Sequence, residues 1–213
     1  MAGRIYVLAG TNGAGKSSVG GETIRAAGTN YFNPDEATRK IHAANPHLTE
    51  DDCNGQAWKL GADLLRRAID EQGDFAFETT LGGNTITAML LEALNKGIEV
   101  HMWYAGLASP ELHIARVAAR VATGGHNIPE KKIRERYTAS RQNLVRLIPK
   151  LTTLRVFDNS AQAAPHAGAK PEPLLVLQTA AGKAIGGCPA GQVPEWAKPL
   201  VAAAMRSKLR SEP

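Results

Sequence analysis

Gly10 to Ser17 read GTNGAGKS, a complete G-x-x-x-x-G-K-[ST] pattern. In that spacing Gly10, Thr11, Asn12, Gly13, Ala14, Gly15, Lys16, Ser17 and the following Ser18 compose a phosphate-binding loop. Gly13 and Gly15 let the backbone curl so that successive N–H groups converge on a β-phosphate. Lys16 can reach the β- and γ-phosphates, and the Ser17 hydroxyl can ligate Mg²⁺. The pattern follows the apolar run Ile5–Ala9 and precedes Ser18–Ala27, which can form a helix with its positive end at the loop. That context separates it from an ordinary Gly-rich turn and predicts a nucleoside triphosphate as ligand.

Three further clusters could act on a bound triphosphate. In Asn33-Pro34-Asp35-Glu36, Asp35 either accepts a proton from an acceptor hydroxyl, with Asn33 beside it on the substrate, or caps the helix that starts at Glu36. In Phe77-Glu78-Thr79-Thr80, Glu78 holds substrate, orients Mg²⁺ through water or forms a plain salt bridge. No run of four apolar residues ends in Asp, so a second magnesium motif is not evident. Thr79, Thr80 and Asn84 can hydrogen-bond a substrate, or Thr80 caps the next helix. Arg116 and Arg120 are four apart and share a helix face. Beyond Gly124-Gly125-His126 come Lys131, Lys132, Arg134, Arg136 and Arg141. Two basic helices hinged at Gly-Gly read either as a lid over the triphosphate or as a solvated, salt-bridged pair. Asp158-Asn159-Ser160 lies near a nucleotide base or makes a strand-to-loop turn.

These residues need a scaffold that brings strand ends together. Strands are predicted at Ile5–Ala9, Tyr31–Asn33, Asp74–Glu78, Glu99–Ala105 and Leu154–Asp158. Helices are predicted at Glu36–Ala44, Asp51–Gln72, Thr85–Asn95, Pro110–Ala122 and Pro129–Ile148, the second opened by a Thr49/Asp52 capping box. Alternating strand and helix gives an α/β fold: a three-layer α/β/α phosphate-loop architecture with a five-stranded parallel core sheet and a helical lid. All 213 residues read as one domain, with its core over 4–160. Ala161–Pro173 reads as a linker, and 173–210 as an appended strand and helix, the latter near Glu195–Leu209.

Net charge is +5, which suits either nucleic acid or polyanionic nucleotides. Aromatic residues make up only 5% and no basic run is interleaved with them, so a stacking platform for nucleic acid is not expected. Cys53 and Cys188 are isolated, which argues for a reducing, cytoplasmic setting and against structural zinc. No apolar run is long enough for a bilayer, and the first apolar stretch reads as a strand rather than a leader.

Taken in order, GTNGAGKS, FNPDE, FETTL, RVAARVATGGHNIPEKKIRERY and FDNS resemble a zeta-toxin-type kinase from Arg4 to Ser160. The resemblance implies transfer of the ATP γ-phosphate to a small-molecule hydroxyl, with UDP-N-acetylglucosamine the best-known acceptor, and an antitoxin protein as partner. It implies Asp35 as catalytic base and Glu78 as an acceptor-side carboxylate. Arg120 and Arg136 become lid arginines, with Arg116 and Arg134 in competing positions. The founding toxins are longer, and their acceptor-binding loops are not evident here. Two other functions remain compatible with the residues: a kinase of another metabolite or a nucleic-acid end, and a non-catalytic nucleotide-binding regulator.

Overall fold

The computed structural model describes residues 3–21, 31–161 and 171–209. Strands β1 (Arg4–Ala9), β2 (Tyr31–Phe32), β3 (Phe75–Thr79), β4 (Glu99–Gly106) and β5 (Thr153–Asp158) pair in parallel. The sheet order is β2-β3-β1-β4-β5-β6-β7. The last two strands, β6 (Leu174–Ala180) and β7 (Lys183–Gly186), run antiparallel. The five expected strands form the parallel core, and the antiparallel pair β6 and β7 extends it into one mixed seven-stranded sheet. β7 is only four residues long at the open edge, too short for its alternation to register as a strand.

Six α-helices complete the described chain: α1 (Pro34–Ala44), α2 (Glu50–Asp70), α3 (Asn84–Asn95), α4 (Pro110–Ala122), α5 (Glu130–Leu147) and α6 (Lys198–Leu209). The Thr49/Asp52 capping box forms at the start of α2 as expected. Ser109 caps α4, with Pro110 in its first turn, where a missing N–H costs nothing. Behind the phosphate loop, Ser17–Gly21 forms one wide, π-type turn; the rest of the helix expected to Ala27 lies outside the described residues.

One face of the sheet carries the main core. Val7, Phe77, Met102, Leu154 and their neighbours pack against Leu65 and Ile69 of α2, Leu90 of α3, Leu144 of α5 and Leu200 of α6. The other face holds a smaller cluster of Leu8 and Ala76 with Tyr6, Val19, Tyr31 and Trp103. Because β1 sits between β3 and β4, the chain reverses its direction of travel across the sheet there. That places a crevice at the carboxyl ends of the parallel strands.

Trp196, in a 3₁₀ turn just before α6, ties the C-terminal segment to this crevice. Its ring lies so close over Gly106 that a Cβ there would fall 2.2 Å from it. Its Nε1 donates to Asp158 Oδ1 at 3.3 Å, and the side chain is buried. Trp196→Ala is expected to cost about 3–5 kcal/mol in chemical denaturation, as for other buried aromatic truncations. A loss under about 1 kcal/mol would mean that the C-terminal segment is a dispensable attachment.

Candidate active site

The phosphate loop leaves β1 at Gly10 and is braced from three sides. Asn159, directly after β5, donates from Nδ2 to the Ala14 carbonyl at 2.8 Å. Gly15 has φ +75°, and a Cβ on it would stand 2.3 Å from that same amide, so only glycine fits. His113 of α4 bonds the Asn12 carbonyl through Nδ1 at 2.7 Å. Arg136 of α5 donates to Asn12 Oδ1 at 2.8 Å. Among the described residues the amide N–H groups of Gly13, Gly15 and Lys16 have no partner, which fits a loop shaped for an anion. Lys16 Nζ lies 3.3 Å from the Gly10 carbonyl and 3.9 Å from Glu78 Oε2, within the same crevice. Ser17 and Ser18 are exposed at the start of the π-type turn.

Asn33, not Asp35, caps α1. Its Oδ1 accepts from the Asp35 and Glu36 amides at 2.9 and 3.2 Å, and its Nδ2 donates to Glu78 Oε1 at 3.2 Å. The capping alternative for Asp35 is thereby corrected: Asn33 precedes Pro34, so it is already extended and takes the cap first. Asp35 keeps its carboxylate exposed, 3.6 Å from Arg120 Nη1. Glu78 is held from three directions, by Tyr31, Asn33 and Lys16. Thr79 and Thr80 accept from the Leu81 and Gly82 amides and shape the turn after β3. Thr80 does not cap α3; Gly83 occupies that position. Asp35, Glu78, Thr79 and Thr80 all line one cavity of about 700 Å³, whose far wall comes from α1 and α2 and whose roof is residues 126–129.

The basic helices separate into different jobs. Arg136 lines the cavity and touches the phosphate loop at once. Arg120 pairs with Asp35 and donates to the His126 carbonyl at 3.0 Å. Arg116 is spent on the carbonyls of Asn159 and Ala161, at 2.8 and 3.4 Å. Arg134 pairs with Glu111 at 2.6 Å on the exposed side of α5. Of the competing arginines, Arg134 therefore stands away from the crevice, and Arg116 braces the turn after β5. Gly124-Gly125 lies between α4 and α5, and the segment after it is fastened to α2 by His126 on Glu50 and Lys132 near Asp51. Asp158 receives Ser160 and Trp196, while Asn159 sits beneath the loop.

A family model described as zeta toxin matches residues 3–170. The chain belongs to the zeta toxin family. An uncharacterized protein of Haemophilus influenzae is 34% identical over 137 residues, covering 64% of this chain and 94% of that one. The solved structure of AvrRxo1-ORF1:-ORF2 with ATP aligns with TM-score 0.63 at 15% identity, over 95% of this chain and 64% of its own. This chain thus spans less than two thirds of that neighbour's length. The PezAT toxin-antitoxin structure of Streptococcus pneumoniae aligns with TM-score 0.50 at 14% identity, over 74% of this chain and 68% of that one. The fold is a phosphate-loop α/β fold.

In this zeta toxin family member the sequence does not single out Thr38, Asn54 and Trp58, which line the cavity, or Tyr31, whose hydroxyl donates to Glu78. Asn54, Trp58, Gly61 and Ala62 recur at helical spacing on one face of α2, a pattern that marks a face but not what it meets. Among the described residues no cluster of three or more His, Cys, Asp or Glu side chains suits a metal by itself. No described helix is long and apolar enough to cross a membrane.

His113 gives the family member a testable acid response. Burial lowers its pKa from 6.5 to about 4, with Lys16, Arg116 and Arg141 adding repulsion against the bond to Asn12. Between those two values the unfolded chain binds the extra proton and the folded one does not, so stability falls as pH drops from 6.5 to 4. The loss from this residue amounts to about 3 kcal/mol over the window. Urea denaturation of wild type and His113→Gln at pH 7 and pH 4 measures it: the variant should lose less stability than wild type by roughly that amount. Equal losses would show that His113 is not buried neutral.

Proposed function

We propose that this zeta toxin family member is an ATP-dependent phosphotransferase acting on a hydroxyl of a small molecule. The observation that carries the reading is the shared wall at Arg136. The phosphate loop lies on one side of it, and on the other lies the 700 Å³ cavity holding Asp35 and Glu78. Donor and acceptor halves of a transfer site meet there. The loop amides and Lys16 hold the triphosphate, and Arg136 faces the group in transit. The acceptor oxygen bonds to the γ-phosphorus as the bond to the β,γ-bridging oxygen breaks. ADP leaves with that electron pair, and the hydroxyl proton passes to Asp35 Oδ2. Glu78 and Thr80 orient the acceptor. Ser17 Oγ would hold Mg²⁺, which offsets charge on the phosphate oxygens. Family membership and the ATP-containing neighbour support this reading.

The test follows transfer of ³²P from γ-labelled ATP to a small-molecule extract, comparing wild type with Asp35→Asn. Label moving only with wild type supports the proposal; equal label, or none with bound ATP, sinks it in favour of a nucleotide-binding regulator. UDP-N-acetylglucosamine, the acceptor implied by the resemblance, is the first pure compound to assay, by ³¹P NMR. We extend to this chain the two-component organisation of PezAT, with an antitoxin partner in the cytoplasm. Co-expression with the adjacent reading frame and co-purification would test that.

A further inference from the structure

Asn12, the third residue of the phosphate loop, has a side chain that the loop pattern does not call for, and its use rests on the phosphotransferase reading above. It stands where G-x-x-x-x-G-K-[ST] admits any residue. Such a loop grips phosphate through its amides and lysine, so an asparagine side chain has no part in that grip. Yet Asn12 is only 8% exposed, at the seam between the loop and the cavity. Two helices fasten on it. Its carbonyl accepts from His113 Nδ1 of α4 at 2.7 Å. Gly13 follows at φ +79°, where a Cβ would fall 2.8 Å from the His113 carbonyl, so the loop is pressed against α4 here. With the backbone pinned in this way, Asn12 Oδ1 accepts from Arg136 Nη1 of α5 at 2.8 Å. A guanidinium only donates, so the carboxamide must turn its oxygen toward it.

The kind of partner matters as much as its place. Among the described residues Asn12 is the one hydrogen-bond acceptor of the Arg136 guanidinium. The other arginines of these helices are held differently: Arg120 beside Asp35, Arg134 on Glu111, and Arg116 on two carbonyls of the turn after β5. A carboxylate would fix a guanidinium but cancel much of its charge. A neutral amide fixes it and leaves the whole positive charge for a phosphoryl group. The five N–H donors of arginine lie in one rigid plane, so anchoring Nη1 sets the direction of the rest. At the other end of the side chain, Cγ lies against Gly82, where an added Cβ would come within 2.7 Å. That contact confines the stem but not the rotation of the head. The bond to Asn12 removes the remaining freedom.

We infer that Asn12 is a positioning residue for phosphoryl transfer: pinned to α4 through its carbonyl, it uses its side-chain oxygen to aim Arg136 at the group in transit without neutralising it.

A double-mutant cycle on the full-length protein tests this. Asn12→Ala and Asn12→Leu, the second filling the space of the carboxamide, are each made in wild type and in Arg136→Ala. Turnover is the initial rate of ³²P transfer from saturating γ-labelled ATP to a fixed amount of small-molecule extract, and calorimetry gives ATP affinity. In wild type either Asn12 substitution should lower the rate about 10–100-fold, the effect of misplacing a group at the reacting centre, with ATP affinity within about threefold. In Arg136→Ala the same substitutions should lower the rate by less than a further factor of about two, because the residue to be aimed is gone. Similar fold losses in both backgrounds would show Asn12 acting apart from Arg136 and overturn the inference. An unchanged rate in wild type overturns it too, as does a loss of ATP affinity as large as the loss of rate, the mark of a collapsed loop. No transfer by the wild-type protein while ATP binds overturns the phosphotransferase reading itself, a result distinct from the other three.

Discussion

Asp35→Asn is expected to lower kcat for phosphoryl transfer by about 10²–10⁴-fold, the range over which a positioned general base acts. The substitution keeps the shape of the side chain and its place in the first turn of α1. It removes only the capacity to take up the acceptor proton. The helix does not depend on it, because Asn33 supplies the cap. The ion pair with Arg120 is solvent-exposed on both sides, so its loss costs less than about 1 kcal/mol of stability. ATP affinity, read by calorimetry, should stay within about twofold, since the loop amides and Lys16 are untouched. Glu78 cannot readily substitute as base: Tyr31, Asn33 and Lys16 all converge on its carboxylate. A variant retaining more than about half of the wild-type kcat would transfer the role of base away from Asp35.

That prediction shows where sequence reading works and where it stops. The phosphate loop is legible because its chemistry is local: eight consecutive residues carry both the backbone turn and the lysine. The Thr49/Asp52 box is legible for the same reason. Asp35 is harder, because Asn33 and Asp35 are both good helix caps two residues apart. Only the backbone conformation at Asn33, extended ahead of Pro34, decides between them. The arginines of α5 show a different limit. Arg134 and Arg136 differ by two positions, so on a helix they point some 200° apart. Which of them meets the loop depends on how α5 packs, and that is fixed by distant residues such as Leu144 and Leu147. The cavity wall is tertiary throughout. Thr38, Asn54 and Trp58 come together only because α1 and α2 form a hairpin beside the β3 turn. β7 escaped because four residues against β6 leave too short an alternation. The charge lining the cavity could not be read at all, since Glu50 and Asp51 of α2 and Lys132 of α5 meet only in the folded chain.

Arg136→Ala is expected to reduce kcat by about 10³-fold or more, the lower end of what an arginine on a transferring phosphoryl group contributes. Burial lowers the guanidinium pKa from its ordinary value, with Asp35 and Glu135 opposing that shift. At such a basic starting point the group still carries its charge near neutral pH, and partial desolvation strengthens its field on a neighbouring phosphate. Its position is set from two sides. Nη1 rests on Asn12 Oδ1, and its Cγ lies against Gly82, where an added Cβ would come within 2.7 Å. The Arg136 carbonyl in turn receives the Thr11 hydroxyl at 3.4 Å, a second tie between α5 and the loop. Arg136→Lys therefore restores little: a lysine keeps the charge but not the planar fork that spans Asn12 and the transfer point. Gly82→Ala supplies the independent check. It leaves the arginine in place but pushes its stem, and should lower kcat several-fold, with the thermal midpoint distinguishing displacement from unfolding. If Arg136→Ala retained near-wild-type kcat while Arg120→Ala abolished turnover, the transferring group would lie on the Asp35 side of the crevice and Arg120 would be the cation facing it.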